Sequence, residues 1–266
     1  MDYSGIISAT AVIGGIGIVL GLVLGVAGKL FEVKIDEKQQ RIRECLPGNN
    51  CGGCGFASCD KVAESIALGT APADACPVGG EAVAKKIAEV MGQEAGEFVK
   101  RVAYVKCSGT CDKAEVIYNY YGVRDCSRAV LAPGGGSKAC DSGCLGLGSC
   151  VRACEFDAIH VVNGKAIVDK EKCKACGKCI DACPQKLIEL IPYDASYAVS
   201  CASKEKGKAV KDKCKAGCIG CSLCAKSCPS SAIIFENNIA KIDQELCTGC
   251  GVCAAKCPSK VITKLK

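Results

Sequence analysis

Two runs of cysteine constrain this chain more than anything else in it. CIGCSLCAKSCP, from Cys218 to Pro229, and CTGCGVCAAKCP, from Cys247 to Pro258, share the spacing C-x2-C-x2-C-x3-C-P. Three thiolates on so tight a loop cap three irons of one [4Fe-4S] cube. The fourth stands at the start of a helical turn aimed the other way and reaches a second cube. The spacing therefore assigns Cys218, Cys221, Cys224 and Cys257 to one cluster, and Cys247, Cys250, Cys253 and Cys228 to its twin. Tetrahedral zinc, the competing reading of paired C-x2-C, needs only four thiolates and leaves half of each run without a task.

Cysteine at 26 of 266 positions, with no Trp, would otherwise suggest a secreted disulfide scaffold. The chain length, which fits about two domains, and the cluster spacings argue against that. So does the N-terminal segment. Ile6 to Gly28 carries no charge and is long enough to cross ~30 Å of hydrocarbon as a helix. Only Asp2 precedes it, which does not suit a signal peptide. Lys29, Lys34, Lys38, Arg41 and Arg43 follow, so the expected topology is a single pass of the cell membrane, N-terminus outside, cluster domains in the reducing cytoplasm. Gly17, Gly21 and Gly25 give that helix a small-residue face, and Gly15-x-Gly17 lacks the flanking strand and acidic residue of a nucleotide loop.

A charged stalk is expected over Leu30 to Glu44. Cys51, Cys54, Cys59 and Cys76, spaced C-x2-C-x4-C-x16-C, then fit a further [4Fe-4S] site in a small helical domain, with helices near Ser58 to Leu68 and Gly80 to Met91. Cys45 reads as a free thiol. Glu94 to Val105 reads as an amphipathic helix or linker, and Ala132 to Ser137 as a flexible connection. Lys204 to Lys215 holds six lysines against Glu205 and Asp212, within a formal charge of +6. It reads as a basic loop, either plainly solvated or a docking surface for an acidic protein.

Shifting the sequence from Cys140 onward by 74 positions exposes an internal repeat. Cys140, Cys144, Cys150, Cys154, Cys173, Cys176, Cys179 and Cys183 all land on cysteines. IHVVNGKAIV reads as a hairpin turning at Asn163-Gly164, with His160, the single histidine, at its edge. The repeat has one defect: Leu147 stands where Cys221 would fall. One repair gives Cys140, Cys144, Cys150 and Cys183 one cluster, beside Cys154, Cys173, Cys176 and Cys179. In another, Cys107, Cys111 and Cys126 recruit Cys140, Cys201 or Cys214 for an extra cluster; with Cys201 or Cys214 as the fourth thiolate, both schemes operate together. The count is then five or six [4Fe-4S] clusters. Glu155 replaces the proline found after Cys183, Cys228 and Cys257, and a carboxylate there disfavours added electrons.

An uncharged helix, then CGGCGFASC with Cys76-Pro77, then GCLGLGSC and GCIGCSLC around Cys144 and Cys218: in this order the chain resembles the B subunit of the Rnf complexes, in the longer form with doubled ferredoxin modules. The fold class expected is α+β: a single transmembrane helix (1–29), a stalk and helical [4Fe-4S] domain (30–93), a linker with extra cysteines (94–139), and two tandem bacterial-type 2[4Fe-4S] ferredoxin-like modules (140–192, and 193–266 with the basic loop). The resemblance implies a membrane assembly that passes electrons between reduced ferredoxin and NAD while moving Na+ or H+. This chain would take electrons from ferredoxin and relay them to flavin-bearing partner subunits, with the nicotinamide site elsewhere. No catalytic residues are expected here, nor a nucleic-acid partner. The alternatives are the same relay in a hydrogenase or formate dehydrogenase, and a structural metal protein without redox role.

Overall fold

The computed structural model describes residues 3–30, 36–93, 96 and 98–266. Helix α1, Tyr3–Leu30, is long and apolar enough to cross a membrane, and its apolar stretch is not buried by the rest of the chain. Part of the expected stalk, residues 31–35, lies outside the described residues.

Three helices follow. In α2, Glu37–Cys45, the Asp36 side chain accepts the Lys38 N–H at 3.0 Å, and in α3, Cys59–Ala67, Ser58 accepts that of Lys61 at 3.2 Å. Such caps satisfy N–H groups that the first turn leaves without intrahelical partners. α4, Gly80–Met91, ends on Gly92 at φ 66, a left-handed cap suited to glycine. Ile42, Val62, Ile66 and Ile87, each almost fully buried, form the shared core.

Beyond them the secondary structure is short and the repeat becomes visible. Hairpin β2 (Ile159–Val162) and β3 (Lys165–Val168) pairs Ile159 with Val168. Its counterpart β6 (Ile233–Glu236) and β7 (Ile239–Ile242) pairs Ile233 with Ile242. Asn163 and Gly164, at φ 48 and 70, form a turn with both central residues left-handed, as do Asn237 and Asn238.

Arg101–Val105 is not helix or linker but a strand, β1, antiparallel to β4 (Ile188–Pro192), with Val105 opposite Ile188. Both of its faces are used: Ala103 and Val105 join a core with Ile188 and the cysteines, and Val102 joins another with Ile191. In the second half, β5 (Tyr197–Val199) pairs likewise with β8 (Ile262–Lys264), Val199 opposite Ile262. The basic segment also differs from expectation. Gly207–Lys213 forms a helix anchored by buried Val210, with Lys206, Lys208 and Lys211 exposed and Lys213 paired to Glu205 at 2.7 Å.

Candidate metal centres

Cys59 and Cys76 are buried in the helical domain, with Cys54 packed against its core; the electrostatic neighbours of Cys76 are Cys54 and Cys59. The fourth expected member, Cys51, leads toward Cys176 of the next set. The two domains meet closely there, for a Cβ on Gly53 would come within 2.8 Å of the Cys176 backbone. Only glycine fits this contact.

Cys179 neighbours Cys173, Cys176 and Cys154. It sits buried in the one-turn helix Lys178–Asp181. The Ala103 N–H donates to Cys173 Sγ at 3.4 Å and the Ala158 N–H to Cys154 Sγ at 3.4 Å. Glu155, which follows Cys154, forms an ion pair with Lys178, and that carboxylate holds the Lys178 ammonium above its ordinary range. Cys51 and Cys176 lie near the same ammonium. Glu155→Gln is therefore expected to raise the midpoint potential of the site at Cys154, because it frees Lys178 to face the sulfurs. A redox titration with no shift would contradict this.

The neighbouring set is where the structure departs from the sequence reading. Cys144, Cys150 and Cys183 line one cavity, and the cysteine that joins them is Cys126, not Cys140. The position lost at Leu147 is filled from a different segment. Helix α5, Cys126–Ala129, is capped by Asp125, whose carboxylate accepts the Ser127 and Arg128 N–H groups. Ser149 Oγ, on a buried residue, accepts the Cys126 N–H at 2.8 Å and donates to Asp125 at 3.2 Å. Arg152 forms an ion pair with Asp125 and donates to the Arg124 carbonyl at 2.9 Å and the Leu147 carbonyl at 3.2 Å. Although desolvation opposes it, Arg152 and the two N–H groups hold Asp125 below the usual carboxylate range. These contacts clamp the segment to the module so that Cys126 faces the cavity. One sequence signal could have found it: Cys140 follows Cys107 by 33 positions, whereas Cys214 follows Cys201 by 13, and the excess carries Cys126.

In the second half Cys218, Cys221, Cys224 and Cys257 line one cavity, and Cys253 neighbours Cys247 and Cys228. Cys250, just ahead of the short helix Val252–Lys256, is exposed. The expected grouping of Cys107, Cys111 and Cys126 does not form. Cys107 is buried elsewhere, beside Cys140, Cys201 and Cys214. Cys111 is exposed, its N–H donating to the Asn163 carbonyl at the β2–β3 turn. Cys45 packs against the helical-domain core. His160 lies exposed on β2 with Asp157 3.9 Å away.

The donor sets suit iron-sulfur cubes. Burial, then the charge of neighbouring thiols, pushes Cys150 and Cys179 up to about 12, and burial pushes Cys224 up to about 11. Such thiols ionise when a metal takes the proton's place. Further N–H groups already point at sulfur, from Ala166 to Cys144 at 3.4 Å and Leu187 to Cys183 at 3.5 Å.

Sites of this kind define an iron-sulfur protein, and comparison with known proteins agrees. Family models match for a putative Fe-S cluster domain at residues 46–78, a 4Fe-4S binding domain at 166–189 and a 4Fe-4S dicluster domain at 217–261. The chain is 45% identical, over 90% of its length and 72% of the relative's, to the B subunit of the Na(+)-translocating ferredoxin:NAD(+) oxidoreductase complex of Acetobacterium woodii. It is 43% identical to the B subunit of the ion-translocating oxidoreductase complex of Methanosarcina acetivorans, covering 90% of this chain and 91% of that one. The counterpart from the proton-translocating ferredoxin:NAD(+) oxidoreductase complex of Clostridium ljungdahlii is 42% identical over 87% and 82%. The chain belongs to the B-subunit family of the Rnf ion-translocating ferredoxin:NAD oxidoreductase complexes.

Proposed function

We propose that this chain is the iron-sulfur electron relay of a redox-driven Na+ or H+ translocating complex, taking electrons from reduced ferredoxin and handing them to flavin-bearing and NAD-linked partner subunits. Helix α1 anchors it in the membrane, N-terminus outside, with the cysteine domains on the cytoplasmic side. Five [4Fe-4S] sites are read from the thiol sets: Cys51, Cys54, Cys59 and Cys76; Cys154, Cys173, Cys176 and Cys179; Cys126, Cys144, Cys150 and Cys183; Cys218, Cys221, Cys224 and Cys257; and Cys228, Cys247, Cys250 and Cys253. The last four belong to two tandem ferredoxin-like modules. Each module takes in the strand ahead of it, β1 for the first and β5 for the second.

When bound, the clusters supply one-electron exchange, while the protein sets their position and potential. The observation that carries the reading is that the sets adjoin in series. Cys51 lies beside Cys176, and Cys179 beside Cys150. Thiolates held by N–H donors on short rigid turns keep each site in register with the next. No side chain here has to bind substrate or move a proton.

Lys206, Lys208 and Lys211, exposed along the helix Gly207–Lys213 and at its start, form the surface on which ferredoxin, as an acidic carrier, docks. With the purified protein, reduced ferredoxin should bleach the visible cluster absorption. Neutralising the three lysines to Gln should slow that bleaching about tenfold at low salt and far less at high salt, since ions screen what the substitutions remove. A colourless protein would contradict the relay, and equal rates at low salt would contradict this docking surface.

A further inference from the structure

Lys138 is buried, 4% exposed, and it breaks the internal repeat: its counterpart under the 74-residue shift is Asp212, which is exposed. The Lys138 ammonium donates to the carbonyls of Gly109 at 2.8 Å, Cys144 at 2.8 Å and Gly164 at 2.7 Å. Among the described residues no carboxylate pairs with it, although Lys213, lining the same cavity, is matched by Glu205.

A tie between these segments needs hydrogen bonds but no charge, as the second module shows. There Asn238, the counterpart of Gly164, donates from its side-chain amide to the Lys204 carbonyl at 2.8 Å, joining the β6–β7 turn to the segment that follows β5. Lys138 makes the corresponding join in the first module, between the β2–β3 turn and the segment that follows β1. A neutral amide serves in one half. In the other a cation is buried without an anion, which costs stability that the join by itself does not require.

What the charge acts on lies beside it. Cys144, whose own carbonyl receives the ammonium, belongs to the set with Cys126, Cys150 and Cys183. Burial pushes the Cys144 thiol up, and the Ala166 and Gly146 N–H groups and the Lys138 charge pull against it. At Cys218, its counterpart, burial is opposed by the Gly220 N–H, and the charges of Cys201, Cys257 and Cys221 add to the rise. A buried charge is screened far less than an exposed one. Fixed positive charge near a cluster favours the form that carries one more electron.

We propose that Lys138 sets the potential of the site formed by Cys126, Cys144, Cys150 and Cys183 above that of its counterpart at Cys218, Cys221, Cys224 and Cys257, so that electrons entering through the second module are drawn to the first. The inference rests on the relay reading and adds a direction to it. The exposed Lys206, Lys208 and Lys211 lie in the second module, and Cys51 of the helical domain adjoins the first. Each electron that ferredoxin gives up is gained by one site, and Lys138 is neither oxidised nor reduced.

The test is an EPR-monitored redox titration of full-length protein purified anaerobically in detergent, with iron counted on the same samples. Lys138→Gln, which keeps N–H donors and removes the charge, should retain parental iron and lower one midpoint potential, that of the centre whose signal Cys126→Ser removes. Lys138→Arg, which keeps the charge, should hold that midpoint near the parental value. Midpoints unchanged in Lys138→Gln, lowered equally in Lys138→Arg, or shifted only at a centre that Cys126→Ser leaves in place would overturn the proposal and leave the relay standing. An iron-free parent would remove both. If Lys138→Gln does not fold, or loses the iron of that site, the parent decides: the centre removed by Cys126→Ser titrating above the one removed by Cys218→Ser supports the proposal, and an equal or reversed order overturns it.

Discussion

Cys126→Ser is expected to cost the chain about four iron and four sulfide, and adding Leu147→Cys to that variant should restore them. The reasoning is geometric. Cys126 lies with Cys144, Cys150 and Cys183, where Leu147 is the repeat's counterpart of Cys221. A thiol placed at position 147 would return the site to the local C-x2-C-x2-C pattern, so the distant segment would no longer be needed. Without the rescue, reduction by ferredoxin should stall at this point, with the EPR signal of one centre missing. Iron unaffected by Cys126→Ser, or lost with no recovery on adding Leu147→Cys, would contradict the assignment.

The second large effect should come from removing iron with a chelator under anaerobic, reducing conditions. Most of the chain beyond the helical domain should then unfold at room temperature. Its helices there include single turns such as Ser149–Arg152, Lys178–Asp181 and Leu223–Lys226, too short to persist alone, and its sheets are two-stranded. The cores offer little in compensation. One holds Ile159, Leu187 and Ile188 with Cys107, Cys150 and Cys179; the other, Ile233, Val261 and Ile262 with Cys224 and Cys253. A buried aliphatic side chain contributes about 1.5–3 kcal/mol, against about 1–2 kcal/mol of backbone entropy for each residue ordered. Metal-thiolate bonds must supply the remainder. The helices around Ile42, Val62, Ile66 and Ile87 have an aliphatic core and should lose less. Circular dichroism before and after chelation measures this; a strand signal unchanged in iron-free protein would contradict it.

What the residues disclosed in advance was whatever is settled over a few positions. Helices Cys59–Ala67 and Gly80–Met91 lie within the expected spans because Ser58 and Gly92 mark ends that any chain would respect. The Asn163-Gly164 hairpin is equally local. Cys218, Cys221 and Cys224, each three positions from the next, fall together because the loop leaves them no alternative. Pairings across long separations were not legible. Arg101–Val105 became a strand only through Ile188–Pro192, far along the chain. Cys140 has the same sequence distance to Cys144 under either grouping, and only the meeting of the two halves sends it to Cys107, Cys201 and Cys214. The basic segment hid a helix because a single apolar residue, Val210, turns it toward the protein.

The most direct measurement is an anaerobic reductive titration of the purified chain with iron and acid-labile sulfide counted on the same sample. The thiol sets should hold iron and sulfide in equal amounts, about four of each and one electron per cluster, with EPR of the reduced clusters. Zinc in place of iron, or a chain whose cysteines are joined as disulfides and take up electrons only by breaking them, would contradict an electron relay built from these thiolates.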